Sequence, residues 1–385
     1  MSIGTRIATE LRGDRIIWAV VVLLSIVSVL AVYSSTGTIA HRQYDGRVGS
    51  FLFKHIVIMG GGLTLMYLTH LTHYVRYSRW APVMLLTAVT LLILTLFIGV
   101  ELNQARRWLQ VPFVGLTFQT SDFAKIALII FVAKSIGSKQ DYIKDWKSAF
   151  LPIIIPVVLV CLLIAINDVS TALILFGICI IMMIIGRVAI QYIGLLILLG
   201  ISVFSLMVVI GDEYPELLPR MPTVQSRMAA FFSGEEAAAD ADQNYQINKA
   251  KVALANGGII GQGPGNSTQR NYLPHPYSDF IFAIIVEEYG ALGGILLIGV
   301  YLLLFFRVVR LVTKSPKTFG AMVALGLSLL IVLQAFINIA VVLNLVPVTG
   351  IPLPLVSMGG TSFLFTCLAF GVILSVSKYI ETTAA

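Results

Sequence analysis

The strongest constraint on this chain is a series of ten apolar runs, each near the length that crosses a membrane, with short polar segments between most of them. About 20 consecutive apolar residues form a helix that spans the hydrocarbon core of a bilayer. The series predicts an all-α polytopic membrane protein with about ten transmembrane helices. The predicted spans are 16–34, 51–69, 80–99, 120–136, 149–166, 169–185, 189–211, 279–306, 318–343 and 357–377.

The composition agrees with this class. Of the 385 residues, 58% are hydrophobic and 12% are charged, whereas a soluble domain has about 25% charged residues. The net charge of +7 comes from Lys and Arg between the runs, a topological pattern, so we expect no nucleic-acid partner. The cysteines lie within apolar runs and predict no disulfide framework. No Cys/His cluster has metal-ligand spacing, so no cofactor is evident, and a divalent cation requirement stays open.

The placement of positive charge predicts the orientation. With the N-terminus in the cytoplasm, fifteen Lys and Arg residues fall in cytoplasmic segments and four in the short segments on the other side. Because positive loop residues favour the cytoplasm, both termini are expected there. The chain is then one transmembrane domain over residues 1–385, with a long extracytoplasmic loop at 212–278.

Two pieces of the long loop carry a structural signal. The amphipathic run 245–256 predicts a short helix lying on the protein or membrane surface. The glycines Gly261, Gly263 and Gly265 predict a flexible turn over the membrane surface. A phosphate-binding loop is disfavoured there, because no Lys-Ser/Thr pair follows and Pro264 lacks a backbone donor.

Polar residues cluster where the fourth, sixth, eighth and tenth spans begin, on the extracytoplasmic side in this topology. Helix capping explains part of the pattern, and for Asp168 capping and function explain it equally well. Lys125 lies three residues after Asp122, so a pair of the two lining a polar cavity is the economical interpretation. Helix N-termini favour an anion site, to which Arg106 and Arg107 would add charge. The sequence leaves open whether these helix ends converge.

Asp279 stands at the junction between the long loop and the eighth span. A charge where a helix enters lipid is costly, and we interpret Asp279 as the catalytic base of a membrane enzyme. Glu287 and Glu288 lie about 12 Å or more deeper on the same helix, beyond the roughly 6.5–9.5 Å of an inverting carboxylate pair. We therefore expect them to form pairs within the bundle and not to act with Asp279.

Taken in order, the motifs resemble those of the SEDS proteins (shape, elongation, division and sporulation), the FtsW and RodA group of peptidoglycan glycosyltransferases. The resemblance covers nearly the whole chain, and the order of its motifs makes it specific. The matching segments are Gly13-Asp14-Arg15, Val32-Tyr33-Ser34-Ser35, Ala105-Arg106-Arg107-Trp108, 119–125, 168–171, 272–290, 334–338 and 347–362.

The resemblance implies roles for particular residues. Asp279 occupies the position of the family's proposed catalytic aspartate. Three motifs depart from the family pattern: Gln119-Thr120-Ser121-Asp122 stands for Gln-Pro-Ser-Glu, Tyr277-Ser278-Asp279 for His-Thr-Asp, and Ile166-Asn167-Asp168 for Gln-Pro-Asp. The candidate substrate-binding residues are Asp122, Lys125, Arg106, Arg107, Trp108, Asp168, Thr171, Ser278, Ser357 and Ser362.

The implied reaction is polymerisation of lipid II, a lipid-linked disaccharide-pentapeptide, with inversion at the anomeric carbon and release of undecaprenyl pyrophosphate. Asp279 suits the base, and Arg106, Arg107, Lys125 and the helix N-termini suit the leaving pyrophosphate. The implied partners are a class B penicillin-binding protein, which is a transpeptidase, and other divisome membrane proteins. The implied location is the bacterial cytoplasmic (inner) membrane, with the active site on its extracytoplasmic side.

The branch of the family and two rival functions stay open. Residues 347–355 resemble the elongation (RodA) pattern, whereas the first span and 356–362 resemble the division (FtsW) pattern, towards which we lean. A lipid II flippase would also have polar residues in its spans, although here they concentrate at the outer ends. A non-catalytic scaffold for the transpeptidase has no need of Asp279 or Lys125.

Overall fold

The computed structural model describes residues 13–35, 48–102, 105–110, 117–214, 220–233, 241–273 and 276–384. These ranges form helices and three short strands. The helices are α1 (Arg15–Ser35), α2 (Val48–Leu71), α3 (Tyr74–Ile98), α4 (Thr120–Ser138), α5 (Leu151–Ala165), α6 (Val169–Ile185), α7 (Ile190–Glu213), α8 (Met221–Ser233), α9 (Ala241–Gly257), α10 (Ile281–Thr313), α11 (Thr318–Val342) and α12 (Thr361–Ala384). The strands are β1 (Val100–Leu102), β2 (Ala105–Gln110) and β3 (Thr117–Gln119).

Each predicted span corresponds to a helix, which confirms the all-α membrane class. Within the described ranges, eight helices are long and apolar enough to cross a membrane: α1, α2, α3, α5 together with the π-helical turn Trp146–Phe150, α7, α10, α11 and α12. Helix α6 is apolar but has 17 residues. Helix α4 has 19 residues and carries three charged side chains. The number of crossings and the side of the termini therefore stay predictions.

Two predicted helix starts are wrong. The eighth span is predicted from residue 279, but α10 begins at Ile281, after a turn over 276–280. The tenth is predicted from 357, but α12 begins at Thr361, and Ser357 lies in the loop before it. Hydropathy does not separate an apolar helix from apolar loop backbone that is buried in protein. Both loops belong to the candidate site.

A small antiparallel sheet precedes α4, with the strand order β1-β2-β3. Trp108 of β2 lies opposite Val100 of β1 and Gln119 of β3. From sequence, Arg106, Arg107 and Trp108 are expected in a loop, whereas they lie in β2. Strands of three to six residues are too short for alternation to reveal them. The sheet fixes the position of β2 relative to the start of α4.

Helix α11 is the central helix of the bundle. It packs against α4, α6, α10 and α12, and 72% of its most apolar 18-residue window is buried, compared with 11% for α7. Helix α7 packs mainly against α6 and α8, so most of its surface faces away from the bundle. A helix that is apolar all round and lies at the edge of a bundle faces lipid in a membrane protein.

Helix α10 is broken at Gly290, whose φ of 69° lies outside the helical region. The glycine-rich segment 257–265 fills the break: Gln262 N donates to Glu287 O at 3.0 Å. A Cβ on Gly290 would lie 2.2 Å from Ile259 O, so this close approach requires glycine. The prediction of a flexible turn over the membrane surface is wrong, because backbone groups freed by the break hold this segment inside it.

The long loop contains two helices. Helix α9 confirms the predicted short helix, and it packs against α10 with Ala250 and Ala253 fully buried. Helix α8 is not predicted from the sequence. It packs against α7, and Met221 at its start is buried in one small cluster with Val169 of α6. The described parts of the loop therefore lie on the helical bundle.

Candidate functional site

Three contacts bring the starts of α4, α6, α10 and α12 to one end of the bundle, which we call the site end. Arg107, in the strand before α4, lies 2.8 Å from Asp168, which caps α6. Ser357, before α12, donates from Oγ to Ser278 O, before α10, at 2.6 Å. Helix α12 also contacts β3, which leads into α4. The convergence that the sequence leaves open is present.

Asp279 lies in the turn 276–280 and is half-buried. Ser278 Oγ donates to its Oδ1 at 2.8 Å. A Cβ on Gly350, whose φ is 70°, would lie 3.7 Å from Asp279 Oδ2. The loop that follows α11 therefore passes beside the carboxylate, where a substituent larger than hydrogen would reduce the space for a substrate.

The turn that carries Asp279 is held through its backbone. Asn338 of α11 donates from Nδ2 to Asp279 O and to Ile351 O, both at 2.8 Å. Ser357 Oγ holds Ser278 O, and Met358 N donates to Tyr277 O at 2.9 Å. All three carbonyls of 277–279 are thus occupied. Asn338 is a positioning residue that belongs to one of the family motifs but is not among the residues selected from the sequence.

The loop that supports this turn is itself buried in the bundle. Leu353, Leu355 and Val356 are each 1% exposed or less. Tyr301 of α10 donates from Oη to Pro354 O at 2.6 Å. Non-helical backbone at this depth needs such partners, because no water is available inside a bilayer.

A second layer supports the loop from α1 and α2. Ser28 Oγ donates to Val356 O at 2.9 Å and lies 3.0 Å from His55 Nε2. Since the Ser28 proton is used on Val356, His55 donates to Ser28. Ser28 and His55 are both buried. Nothing in the spacing of two residues on different spans predicts this contact.

Asp122 and Lys125 form the predicted ion pair. Lys125 Nζ lies 2.7 Å from Asp122 Oδ1, and the two side chains are 8% and 5% exposed. The pair does not line the neighbouring cleft, so the prediction of a cavity lined by it is wrong. The polar residues that line this cleft are Thr95, Arg107, Thr120, Ser121, Asn167 and Asp168.

Asp168 both caps a helix and pairs with a cation. Its Oδ1 accepts from Thr171 N at 3.1 Å, as an N-cap does. Its Oδ2 accepts from Arg107 Nη1 at 2.8 Å. Capping and a contact within the candidate site, between which the sequence does not decide, are therefore both present. Thr171 contributes its backbone, and its side chain is buried.

Glu287 and Glu288 serve the structure. Glu287 is fully buried and accepts hydrogen bonds from side chains or backbone of 256 and 267–269. Glu288 accepts from Ser34 Oγ at the end of α1 and from Ser267 N. The expectation that these carboxylates make contacts within the bundle is confirmed. Together they fasten the loop segment 266–270 to α10.

The remaining candidates are less closely connected to Asp279. Trp108 is half-buried in β2, and the Arg106 side chain lies outside the described residues. Ser362 lies in the first turn of α12, where its N donates to Gly359 O at 3.0 Å. In the part of the chain that is described, no group of three or more His, Cys, Asp or Glu side chains could hold a metal ion.

Two arginines that are not selected from the sequence also lie at the site end. Arg220 precedes α8, and the next residue, Met221, is packed with Val169 at the start of α6. Arg227 of α8 donates from Nη1 to Val348 O at 3.1 Å. Their position depends on how α8 folds back over the bundle, which local sequence does not indicate.

Comparison with known proteins gives a consistent result. A family model described as "Cell cycle protein" (FTSW_RODA_SPOVE) matches residues 14–382. Stage V sporulation protein E of Bacillus subtilis is 32% identical over 372 residues, covering 95% of this chain and 97% of that protein. A probable peptidoglycan glycosyltransferase FtsW of Trichlorobacter lovleyi is 33% identical over 373 residues, with 96% and 94% covered. A chain of a solved peptidoglycan synthase complex has a similar fold, with a TM-score of 0.72, 23% identity, and 96% and 98% covered.

Proposed function

This chain belongs to the FtsW/RodA/SpoVE family of cell cycle proteins, and from that premise we propose that it is a peptidoglycan glycosyltransferase that polymerises lipid II. The enzyme class is that of its relative named as a probable peptidoglycan glycosyltransferase. The lipid-linked substrate suits a chain whose candidate site lies at one end of a bundle of membrane-spanning helices.

The way Asp279 is held carries the proposal. Hydrogen bonds from Asn338, Ser357 and Met358 occupy the backbone carbonyls of the turn, whereas the carboxylate is only half-buried. A general base must meet its substrate in a fixed geometry, because a displacement of about 1 Å can lower the rate by ~10²-fold. This turn provides that fixed geometry.

In the proposed reaction, the Asp279 carboxylate takes the proton of an acceptor sugar hydroxyl as its oxygen attacks the anomeric carbon of the donor. The bond from that carbon to the pyrophosphate oxygen breaks, and the lipid pyrophosphate leaves with the electron pair. Attack opposite the leaving group inverts the anomeric carbon. A positioned base contributes about 10²–10⁴-fold. Arg107 and the N-terminus of α4, whose N-cap Gln119 makes no side-chain cap hydrogen bond, favour the departing anion.

We place the site end on the extracytoplasmic side of the bacterial cytoplasmic membrane. The excess of Lys and Arg in the opposite segments supports this orientation. The proposed partner is a class B penicillin-binding protein, supported by the similar fold of a chain in a peptidoglycan synthase complex. We favour the division branch, since the relative from Trichlorobacter lovleyi is named FtsW.

The test is a polymerisation assay on the purified complex with its transpeptidase, supplied with lipid II. The Asp279→Asn variant should lose ~10²–10⁴-fold in turnover, with thermal unfolding unchanged. Asp145→Asn is a matched control, because Asp145 caps a turn through Ser148 N outside the site and Asn caps equally well.

The same assay separates the alternatives. Polymerisation by the correctly folded Asp279→Asn complex at the wild-type rate would show that Asp279 is not the base. Lipid II movement across vesicles by a wild-type complex that makes no polymer would instead indicate a flippase.

A further inference from the structure

We infer that Arg107, Arg220 and Arg227 form the subsite that receives the pyrophosphate of the lipid-linked donor. The inference rests on the proposed function and deepens it. It gives helix α8, which the sequence does not predict, a direct role in holding the leaving group.

A chain of contacts places the first two arginines together. Arg107 Nη1 donates to Asp168 Oδ2 at 2.8 Å. The residue after Asp168 is Val169, and it is packed with Met221, the residue after Arg220. Both arginines therefore lie beside the same helix start, that of α6.

The third arginine connects the cluster to the base. Arg227 Nη1 donates to Val348 O at 3.1 Å. Two residues further along, Gly350 lies beside the Asp279 carboxylate. Because three consecutive residues span at most about 7 Å between their first and last Cα atoms, the cluster and the base flank one short segment. A donor held by the cluster would have its anomeric carbon within reach of Asp279.

The charge of the cluster suits a pyrophosphate. Three guanidinium groups face one carboxylate, that of Asp168, which leaves an excess of two positive charges. A pyrophosphate between a sugar and a prenyl chain carries one negative charge on each phosphate. Within the described residues, Arg107 Nε is buried without a hydrogen-bond partner. An anion would supply an acceptor and match the excess charge.

The electrostatics of Arg220 agree with this arrangement. Burial first, and then the positive charges of Arg107 and Arg227, lower its pKa to about 10, while Asp168 acts in the opposite direction. The group stays protonated at neutral pH. Its mutual repulsion with the other two cations is relieved when an anion binds between them.

Lys125 does not supply this charge. Its ammonium group is 2.7 Å from Asp122, and both side chains are more than nine-tenths buried. The pair is neutral as a unit. Removal of either partner would leave a buried uncompensated charge, so the loss of activity expected from Lys125→Ala reports on structure rather than on pyrophosphate binding.

The neighbouring surface indicates that the pyrophosphate arrives on a lipid. An apolar groove runs between α5, α6 and α7, and Val169, which adjoins the cluster, lines it. Its walls are almost entirely apolar, with Leu173, Phe176 and Phe204 among them. A prenyl chain in this groove would place its pyrophosphate at the start of α6.

The test measures binding and turnover in parallel on the full chain in complex with its transpeptidase, in nanodiscs of phosphatidylcholine. The probe is farnesyl pyrophosphate, with farnesyl monophosphate and inorganic pyrophosphate as comparisons. Arg220→Gln and Arg227→Gln should each weaken farnesyl pyrophosphate binding by about tenfold, since a hydrogen bond to a charged group is worth about 1.5–3 kcal/mol. Arg220→Lys keeps the charge and should stay within about threefold of wild type.

Controls separate this subsite from a general effect of positive charge in the loop. Lys251→Gln removes an exposed charge of α9 in the same loop and should leave binding unchanged. Asp279→Asn should bind farnesyl pyrophosphate as wild type does. If Arg220→Gln and Arg227→Gln bind it with wild-type affinity, or if phosphatidylglycerol nanodiscs abolish the difference, the subsite is refuted. A wild-type complex that binds the probe through both arginines yet makes no polymer would retain the subsite and refute the polymerase.

Discussion

Two sets of carboxylates lie at the same end of α10 and are held in opposite ways. At Asp279 the bonds are made to the backbone of the turn, and the carboxylate is half-buried beside Gly350. At Glu287 and Glu288 the bonds are made to the side chains, which are 0% and 2% exposed. The difference separates a carboxylate positioned for a reaction from carboxylates that fasten a loop.

The physical reason lies in what each group must do. A base has to change its protonation state during the reaction, so donors that bind its charged form too strongly would oppose that change. A structural carboxylate in a buried setting needs donors on both oxygens to compensate for lost hydration. Donors on backbone carbonyls fix the position of Asp279 without that penalty.

The largest expected contrast comes from replacing one carboxylate of each kind by its amide. Asp279→Asn should lower turnover by ~10²–10⁴-fold and leave thermal unfolding in detergent unchanged. Glu287→Gln should lower the free energy of unfolding by about 3 kcal/mol, because the amide turns a donor towards other donors. Equal thermal stability of the two variants would contradict the comparison.

The backbone support of Asp279 can be removed without touching the carboxylate. Asn338→Leu leaves the carbonyls of Asp279 and Ile351 without their donor, and each such loss costs ~1–3 kcal/mol. We expect kcat to fall about 10- to 100-fold with a smaller change in KM. Ser328→Ala removes another buried hydroxyl of α11 and should have little effect on kcat.

The break in α10 tests the other side of the comparison. Gly290→Ala places a Cβ against Ile259 O at a positive φ, so it should destabilise the protein by ~2 kcal/mol or more. Gly299→Ala is the matched control on the same helix, since no atom lies within 4 Å of its added Cβ. Thermal unfolding of the two variants, measured side by side, should differ clearly.

The smallest expected effect is that of the support from α1. Ser28→Ala removes the bond to Val356 O, which lies one residue from Ser357, and should lower kcat about threefold to tenfold, in line with a loss of ~1 kcal/mol. Ser25→Ala, whose buried Oγ has no hydrogen bond among the described residues, should leave kcat unchanged. A wild-type kcat for Ser28→Ala would remove this residue from the support of the turn.

Much of the fold follows from the sequence by itself. Apolar runs of membrane-spanning length determine helices, because a segment in lipid must satisfy its own backbone, and α6 has the predicted bounds. Local spacing predicts the Asp122–Lys125 pair, since residues three apart share a helical face. The cap at Asp168 is local for the same reason. The order of the motifs indicates the family.

The tertiary structure alone decided the parts of the site that join distant segments. Asn338 reaches Asp279 across 59 positions of sequence, and Arg107 reaches Asp168 across 61. Such contacts depend on how helices pack, which no local periodicity encodes. The seating of segment 257–265 in the break of α10 and the return of α8 towards α6 are of the same kind. The sequence identified Asp279 as a charge that needs a reason, and the fold supplied the donors that hold its backbone in place.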